Sequence, residues 1–254
     1  GVPRDAKDCS VVQPGTALRC TTVAGSGGPY TWTLRVDGFD VIVDAAEMWY
    51  SVAVIEQIDG PGATRGSTRG GEVVYLHGTG FGSVGTRLSA RYGRMDLPAE
   101  HWMQSDCEVV LGIGVASEPR VSCMTAPGTG KDLHWRVVAP GGRPAKLSTS
   151  TTSYALPLLV QFTGEGAERA STRGGELVTI VGDHFGEQAA AIESVRYVDL
   201  GELEFDVTSS CELVEPHTTI VCTTTEGAGG LSIEWVVTIS GQESVAPLTS
   251  AAAP

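Results

Sequence analysis

Six cysteines and five histidines are the residues of this chain best suited to chemistry, and the cysteines are the more regular set. They fall in three pairs, Cys9 with Cys20, Cys107 with Cys123, and Cys211 with Cys222. Each pair is followed 12 or 13 residues later by a tryptophan, Trp32, Trp135 and Trp235. Such pairs suit either disulfide formation or zinc binding. Zinc needs four converging ligands, and each repeat offers two cysteines without a consistently placed histidine, since His101, His134 and His217 occupy unrelated repeat positions. Bonds Cys9–Cys20, Cys107–Cys123 and Cys211–Cys222 are the one arrangement that treats equivalent residues equivalently. In the chain-entropy view a loop of this size contributes roughly 3 kcal/mol, and such bonds imply an oxidising extracellular or lumenal compartment.

Other motifs point away from catalysis. Gly80-Phe81-Gly82-Ser83-Val84-Gly85 matches the dinucleotide pattern G-x-G-x-x-G, but that mechanism needs a helix N-terminus at the pyrophosphate. The residues that follow, Thr86 to Tyr92, alternate as a short strand does, and the later copy keeps only Gly182 and Gly186. The chain has no G-x-S-x-G elbow and no H-E-x-x-H helix motif, and no Ser, His and Asp set recurs between repeats. His77 and His184 sit at strand ends as structural or solvated side chains. The acidic pairs Asp5 with Asp8 and Glu202 with Glu204 lack the dense alternating oxygens of a calcium loop. The expectation is a chain without enzymatic activity, cofactor or metal.

The elements that carry these residues repeat. Ser67-Thr68-Arg69-Gly70-Gly71-Glu72 returns as Ser171-Thr172-Arg173-Gly174-Gly175-Glu176, an offset of 104 residues, and each copy runs into an apolar strand and a Phe-Gly turn. A period near one hundred residues is too long for a solenoid unit and suits a whole small domain. The paired glycines are expected to supply positive φ in a tight turn that starts the following strand. Around each tryptophan the sequence alternates as a half-buried strand, for example Leu133, Trp135, Val137 and Ala139. Pro14-Gly15, Glu118-Pro119 and Glu215-Pro216 place turns between the paired cysteines. The predicted organisation is a partial module over 1–50, complete modules over 52–152 and 157–248, and the opening of a further module or a linker over 249–254. Residues 1–50 hold a cysteine pair and a tryptophan strand but no Gly-Gly-Glu strand, so a preceding half-module is expected upstream. The junctions Tyr50 to Val54 and Tyr154 to Leu158 are short and apolar, as neighbours in contact require.

The succession of Gly-Gly, an apolar strand, Gly-x-x-Phe-Gly, a cysteine pair with a Thr-rich turn and a closing Val-rich strand resembles the IPT/TIG domain. Residues 62–82 and 166–186 carry the specific part. The resemblance implies an all-β fold of tandem immunoglobulin-like sandwiches of the early-set type, with seven or so strands in two antiparallel sheets. Tandem copies of this family occur in cell-surface receptors of plexin type and in large surface proteins. Single copies occur in Rel-type transcription factors and beside starch-degrading catalytic domains.

Charge narrows the choice. A net charge of −13 and a pI near 4.7, with no cluster of Lys and Arg, oppose binding to nucleic acid or to an anionic membrane. The longest apolar run, near Tyr154 to Phe162, contains Pro157 and is too short to span a bilayer. The opening residues do not read as a signal peptide, so export would rest on a signal upstream of this segment. Ser148-Thr149-Ser150-Thr151-Thr152-Ser153 offers six hydroxyls as candidate O-glycan acceptors, or else a hydroxyl-rich last strand. The chain has no asparagine, which excludes N-glycosylation. The favoured expectation is a non-enzymatic extracellular structural or adhesive segment of a larger array, a spacer or the shaft of a surface filament or coat, whose partners are further modules of the same chain or its copies. The alternatives are a ligand-binding receptor ectodomain and an accessory module of a carbohydrate-active enzyme, for which Trp49, Tyr50 and Trp102 are the candidate sugar platforms.

Overall fold

The computed structural model describes residues 4–112, 118–138, 144–199, 203–227, 232–245 and 249–251. It is almost entirely β. Residues 4–50 form two hairpins, β1 (Lys7–Gln13) with β2 (Ala17–Thr21), and β3 (Tyr30–Val36) with β4 (Phe39–Met48). The turn at Pro14-Gly15 joins the first pair and the turn at Asp37-Gly38 the second, with both glycines and Asp37 at positive φ.

The second module follows with β5 (Val54–Asp59), β6 (Val73–Thr79), β7 (Arg87–Gly93), β8 (Met103–Leu111), β9 (Pro119–Met124), β10 (Leu133–Val138) and β11 (Thr151–Thr152). Their order across the sheet is β11-β10-β7-β8-β9-β6-β5, all antiparallel, with β8 pairing β9 on one side and β7 on the other. The third module comprises β12 (Leu158–Thr163), β13 (Leu177–Asp183), β14 (Ile192–Asp199), β15 (Glu204–Asp206), β16 (Cys211–Glu215), β17 (Thr219–Thr223), β18 (Ser232–Ile239), β19 (Gln242–Glu243) and β20 (Thr249–Ala251). Here two sheets are distinct, β12-β13-β17-β16 and β15-β14-β18, with β19 and β20 both on β18. With β15 set aside as an added edge strand, the first, second, fifth and fourth strands lie in one sheet and the third and sixth in the other, which is the connectivity of an immunoglobulin-like sandwich. One helical turn, α1 (Glu165–Glu168), closes the β12–β13 connection.

Each complete module owns a core, as alternation along the strands requires. In the second, Val74, Leu76, Val109, Val121, Tyr92, Trp135 and Val137 are fully or almost fully buried, and Tyr92 stacks on Trp135 with ring centroids 4.0 Å apart. In the third, Val178, Ile180, Ile220, Val195, Trp235 and Val237 do the same, with Tyr197 4.8 Å from Trp235. The residues after the G-x-G-x-x-G match form β7, a strand, so the geometry for a dinucleotide is missing there.

The structure revises the reading of the tail. Thr249–Ala251 pairs with β18 in the register Ile233↔Ser250, as Thr152 pairs with Leu133 in the second module. These residues therefore complete the third module's own sheet and do not open a following module. The apolar run through Ser244 and Val245 resembles a junction because both are edge segments. Ser244 N–H donates to Val237 O, the place Ala145 holds against Val137 O one module earlier.

Candidate functional site: the joint between modules

The six cysteines form the bonds Cys9–Cys20, Cys107–Cys123 and Cys211–Cys222. The last two link register partners on neighbouring strands, β8 with β9 and β16 with β17. Cys107, Cys123 and Cys222 are buried and Cys211 half-buried, whereas Cys9 is exposed because its hairpin has no facing sheet. Among the described residues no group of three or more His, Cys, Asp and Glu side chains is arranged to hold a metal ion.

The repeated hexamer builds a clamp. In the second module Thr125 N–H donates to Glu72 O, Gly71 N–H to Thr125 O, and Glu72 N–H to Thr125 Oγ1. The third module repeats all three bonds with Thr224, Gly175 and Glu176. One residue earlier the chain presses against the same loop: a Cβ on Gly70 would lie 2.5 Å from Ala126 C, and one on Gly174 2.4 Å from Thr225 C. Both glycines also have positive φ, 69° and 66°, so only glycine fits. Gly128 N–H donates to Thr68 O, and Gly227 N–H to Thr172 O. The hexamer thus fixes the loop after each second cysteine to the start of the β6 or β13 strand.

That loop is where one module meets the next. Ser26, six residues after Cys20, is buried over Gly82 of the second module. Thr129, six residues after Cys123, lies over Gly186 of the third. Gly82 and Gly186 end equivalent Phe-Gly turns with φ of 96° and 84°, and a Cβ on Gly186 would come within 2.5 Å of Thr129 Cγ2. The junction tyrosines match as well. Tyr50 O–H donates to Val23 O at 2.6 Å and its N–H to Gly27 O, while Tyr154 O–H donates to Ala126 O at 2.6 Å and its N–H to Gly130 O. Tyr154 also shares a 2.7 Å hydrogen bond with Tyr92, and burial followed by that contact pushes its phenol well above the ordinary range.

The second joint carries a polar set that has no counterpart among the contacts described at the first. Thr68, fully buried, bonds His217 Nδ1 at 2.9 Å and approaches His184 Nδ1 at 3.5 Å. Arg69 donates to Asp183 at 2.8 Å, Thr129 bonds Ser240 at 2.8 Å, and Gln242 Nε2 donates to Tyr154 O. Arg94 reaches Glu193 at 3.5 Å. Burial, then the neighbouring Arg69 charge, holds the His217 imidazole below its ordinary value against the opposite pull of Glu187 and Asp183. For Asp183, burial alone would raise the carboxyl; the His184 N–H and the Arg69 guanidinium more than reverse this. In the second module Thr79 and Gly80 stand where Asp183 and His184 stand in the third, so these two positions offer neither an acid nor an imidazole. In sequence the hexamer reads as a strand-starting turn; its Thr-Arg pair as a contact to the next module has no sequence signal beyond its repetition.

The hydroxyl run divides. Ser148 Oγ accepts from Trp135 N–H and donates to Ser150 O, Thr152 Oγ1 accepts from Trp135 Nε1, and both residues are buried. Ser153 Oγ accepts from Arg65 N–H. A glycan on Ser148 or Thr152 would have to enter the sandwich, which corrects their reading as acceptors; Thr149 and Thr151 are exposed and Ser150 half-buried. Two of the candidate sugar platforms are half-buried in packing, Trp102 donating to Leu97 O and covering Gly93 and Tyr50 covering Gly25, whereas Trp49 leans on Gly28 and remains exposed.

No protein-family profile and no curated protein matches the chain. Among solved structures it is similar to SGBP-B from a complex xyloglucan utilization locus in Bacteroides uniformis, at 15% identity over 78% of this chain and 49% of that one, with a TM-score of 0.28. It is also similar to the chicken CNTN1 FN1-FN3 domains, at 14% identity over 78% and 63% with a TM-score of 0.28. A marsupial T cell receptor matches at 12% identity over 77% and 75% with a TM-score of 0.27. The chain therefore spans about half the length of the first of these and 63% of the second.

Proposed function

We propose that this chain is a non-enzymatic, rod-forming segment of a larger extracellular protein of the IPT/TIG type, serving as a spacer or as the repeating shaft of a surface filament or coat. The observation that carries this reading is the recurrence of one joint. The residue six past the second cysteine seats on the Phe-Gly turn of the following module at both junctions, and a junction tyrosine ties each preceding loop by the same two hydrogen bonds. A repeated joint tied by hydrogen bonds, with no flexible linker between modules, restricts the angle between neighbours, which a spacer needs and a flexible tether does not. Disulfides in every repeat suit an oxidising compartment outside the cytosol.

Nitrogen-15 relaxation and small-angle scattering of the 254-residue chain test this reading. The expected result is one shared rotational correlation time for the second and third modules and an elongated scattering profile. Independent tumbling of the two modules would overturn the rod. A chain that stays monomeric at high concentration would remove the filament version and keep the spacer.

A further inference from the structure

Among the described residues, the second copy of the hexamer has the main-chain frame of the first but no module seated on it. Thr172 is exposed, whereas Thr68, its first-copy counterpart, is fully buried under the third module; Arg173 is exposed, as Arg69 is. The main-chain frame recurs, although the Glu72 carboxylate accepts from Ser67 N–H and the Glu176 carboxylate from the Thr224 hydroxyl. Gly174 presses on the loop after Cys222 as Gly70 presses on the loop after Cys123, Gly227 N–H holds Thr172 O as Gly128 N–H holds Thr68 O, and Ser171 Oγ accepts from Arg173 N–H as Ser67 Oγ does from Arg69. Among the described residues Arg173 has no carboxylate within ion-pair distance, while Arg69 on the same frame holds Asp183 at 2.8 Å.

We propose that the Thr172–Arg173 turn is a docking socket for the leading edge of a following module, one that presents an acid and an imidazole as Asp183, His184 and His217 do. The inference rests on the array reading above and adds to it the chemistry of the next partner. A preformed turn needs no ordering on binding, so little conformational entropy opposes the seating of a partner. The Arg173 guanidinium supplies a planar pair of donors that suits a carboxylate, and the Thr172 hydroxyl supplies the partner for an imidazole nitrogen. A leading edge of the second module's kind, with Thr79 and Gly80 at those positions, offers neither group.

The test is an extended chain in which residues 1–251 are followed by a second copy of 154–251. The register that equates Ser250 with Thr152 makes Tyr154 the correct next residue. Relaxation should then show the appended module sharing the correlation time of its neighbour, with exchange of the Thr172 amide slowed about tenfold relative to the 254-residue chain. Arg173→Glu and Thr172→Tyr should each release the appended module and leave the internal joint docked. An appended module that tumbles freely while the internal joint stays rigid overturns this proposal alone. Loosening of both joints in the parent extended chain overturns the array reading instead. Docking that survives both substitutions shows that another surface holds the module, and it too sinks the socket.

Discussion

Trp32 and Trp135 hold the same place in the repeat, each 12 residues after the second cysteine of its pair, yet Trp135 is wholly buried and Trp32 is only half-buried. The strands differ little in pattern. They differ in what faces them. Trp135 on β10 is stacked by Tyr92 from β7 and enclosed by Val74 and Leu76 from β6, whereas β1 to β4 have no counterparts of β5, β6 and β7. Val12, Leu18, Leu34 and Val43 consequently line an open trough of about 1130 Å³ between the two hairpins, and Phe39 is 77% exposed. An amphipathic strand specifies which face is to be buried, and burial itself comes from the partner sheet.

The two tryptophans should therefore respond very differently to truncation. Trp135→Ala removes a fully buried indole together with the partner of the Thr152 hydroxyl, and should cost the second module about 3–5 kcal/mol. Trp32→Ala should cost about 1 kcal/mol or less, as at sites with little burial. Urea unfolding of both variants, followed by resolved methyl resonances of the second module, gives the numbers. Equal losses would mean that the first two hairpins form a core as closed as the second module's.

The cystines sharpen the same contrast. Replacing Cys107 and Cys123 together by alanine should remove about 2–4 kcal/mol from the second module. The Cys9–Cys20 bond should open first under a mild thiol reductant, because attack needs access and only Cys9 among the six is exposed. Mass mapping of alkylated cysteines at successive times reads the order. Simultaneous opening of all three would show that exposure does not govern it.

Much of this was legible beforehand because it rests on local pattern. Alternation around Trp135 and Trp235 predicted the strands, turn residues between the paired cysteines predicted the hairpins, and the repeat selected the three disulfides. The joint was less legible, since it depends on which loops meet across a module boundary. The pairing of Thr68 with His217 spans 149 residues, and no periodicity reports such a contact. The hydroxyl run was ambiguous for the same reason: Ser148 and Thr152 are polar letters in sequence, and their roles as partners of Trp135 appear only when β10 and β11 are paired. The tail reads in sequence as a junction because an apolar edge segment and an apolar junction have one composition, and only the pairing of Thr249–Ala251 with β18 separates them.

Adjacent glycines in the hexamer allow a finer comparison. Gly70 and Gly71 both have positive φ, 69° and 80°, but a Cβ on Gly71 would meet nothing within 4 Å, while one on Gly70 would strike the Ala126 carbonyl carbon. Gly71→Ala should therefore cost only the left-handed backbone strain, about 1 kcal/mol. Gly70→Ala should cost more and detach the loop that carries Thr129, so that the second and third modules lose their shared correlation time. Thermal melts and relaxation measure the two effects. Equal melting losses with the joint intact would show that the hexamer is merely a turn.

The smallest effect concerns the polar set that separates the second joint from the first. His217 lies between Thr68 and Glu187, with Arg69, Asp183 and His184 around it, and its imidazole is held below the ordinary value mainly by burial. An undocked His217 binds a proton more readily than a docked one. The contribution of His217 to docking is thus complete above the ordinary imidazole value, near pH 6.5, and declines as the pH falls below it. Asp183, whose carboxyl is held low, keeps its contribution until the pH enters the ordinary carboxylate range, so a loosening between these limits belongs to the histidine. Relaxation at pH 7.5 and 5.5 should show the second and third modules beginning to separate at the lower value. His217→Asn should abolish that change: its amide can replace the Nδ1 contact without titrating, and asparagine tolerates the φ of 67° found at this position. The first joint, built on Ser26 and Gly82 without an imidazole or carboxylate partner among the contacts described, should not respond to pH over the same range.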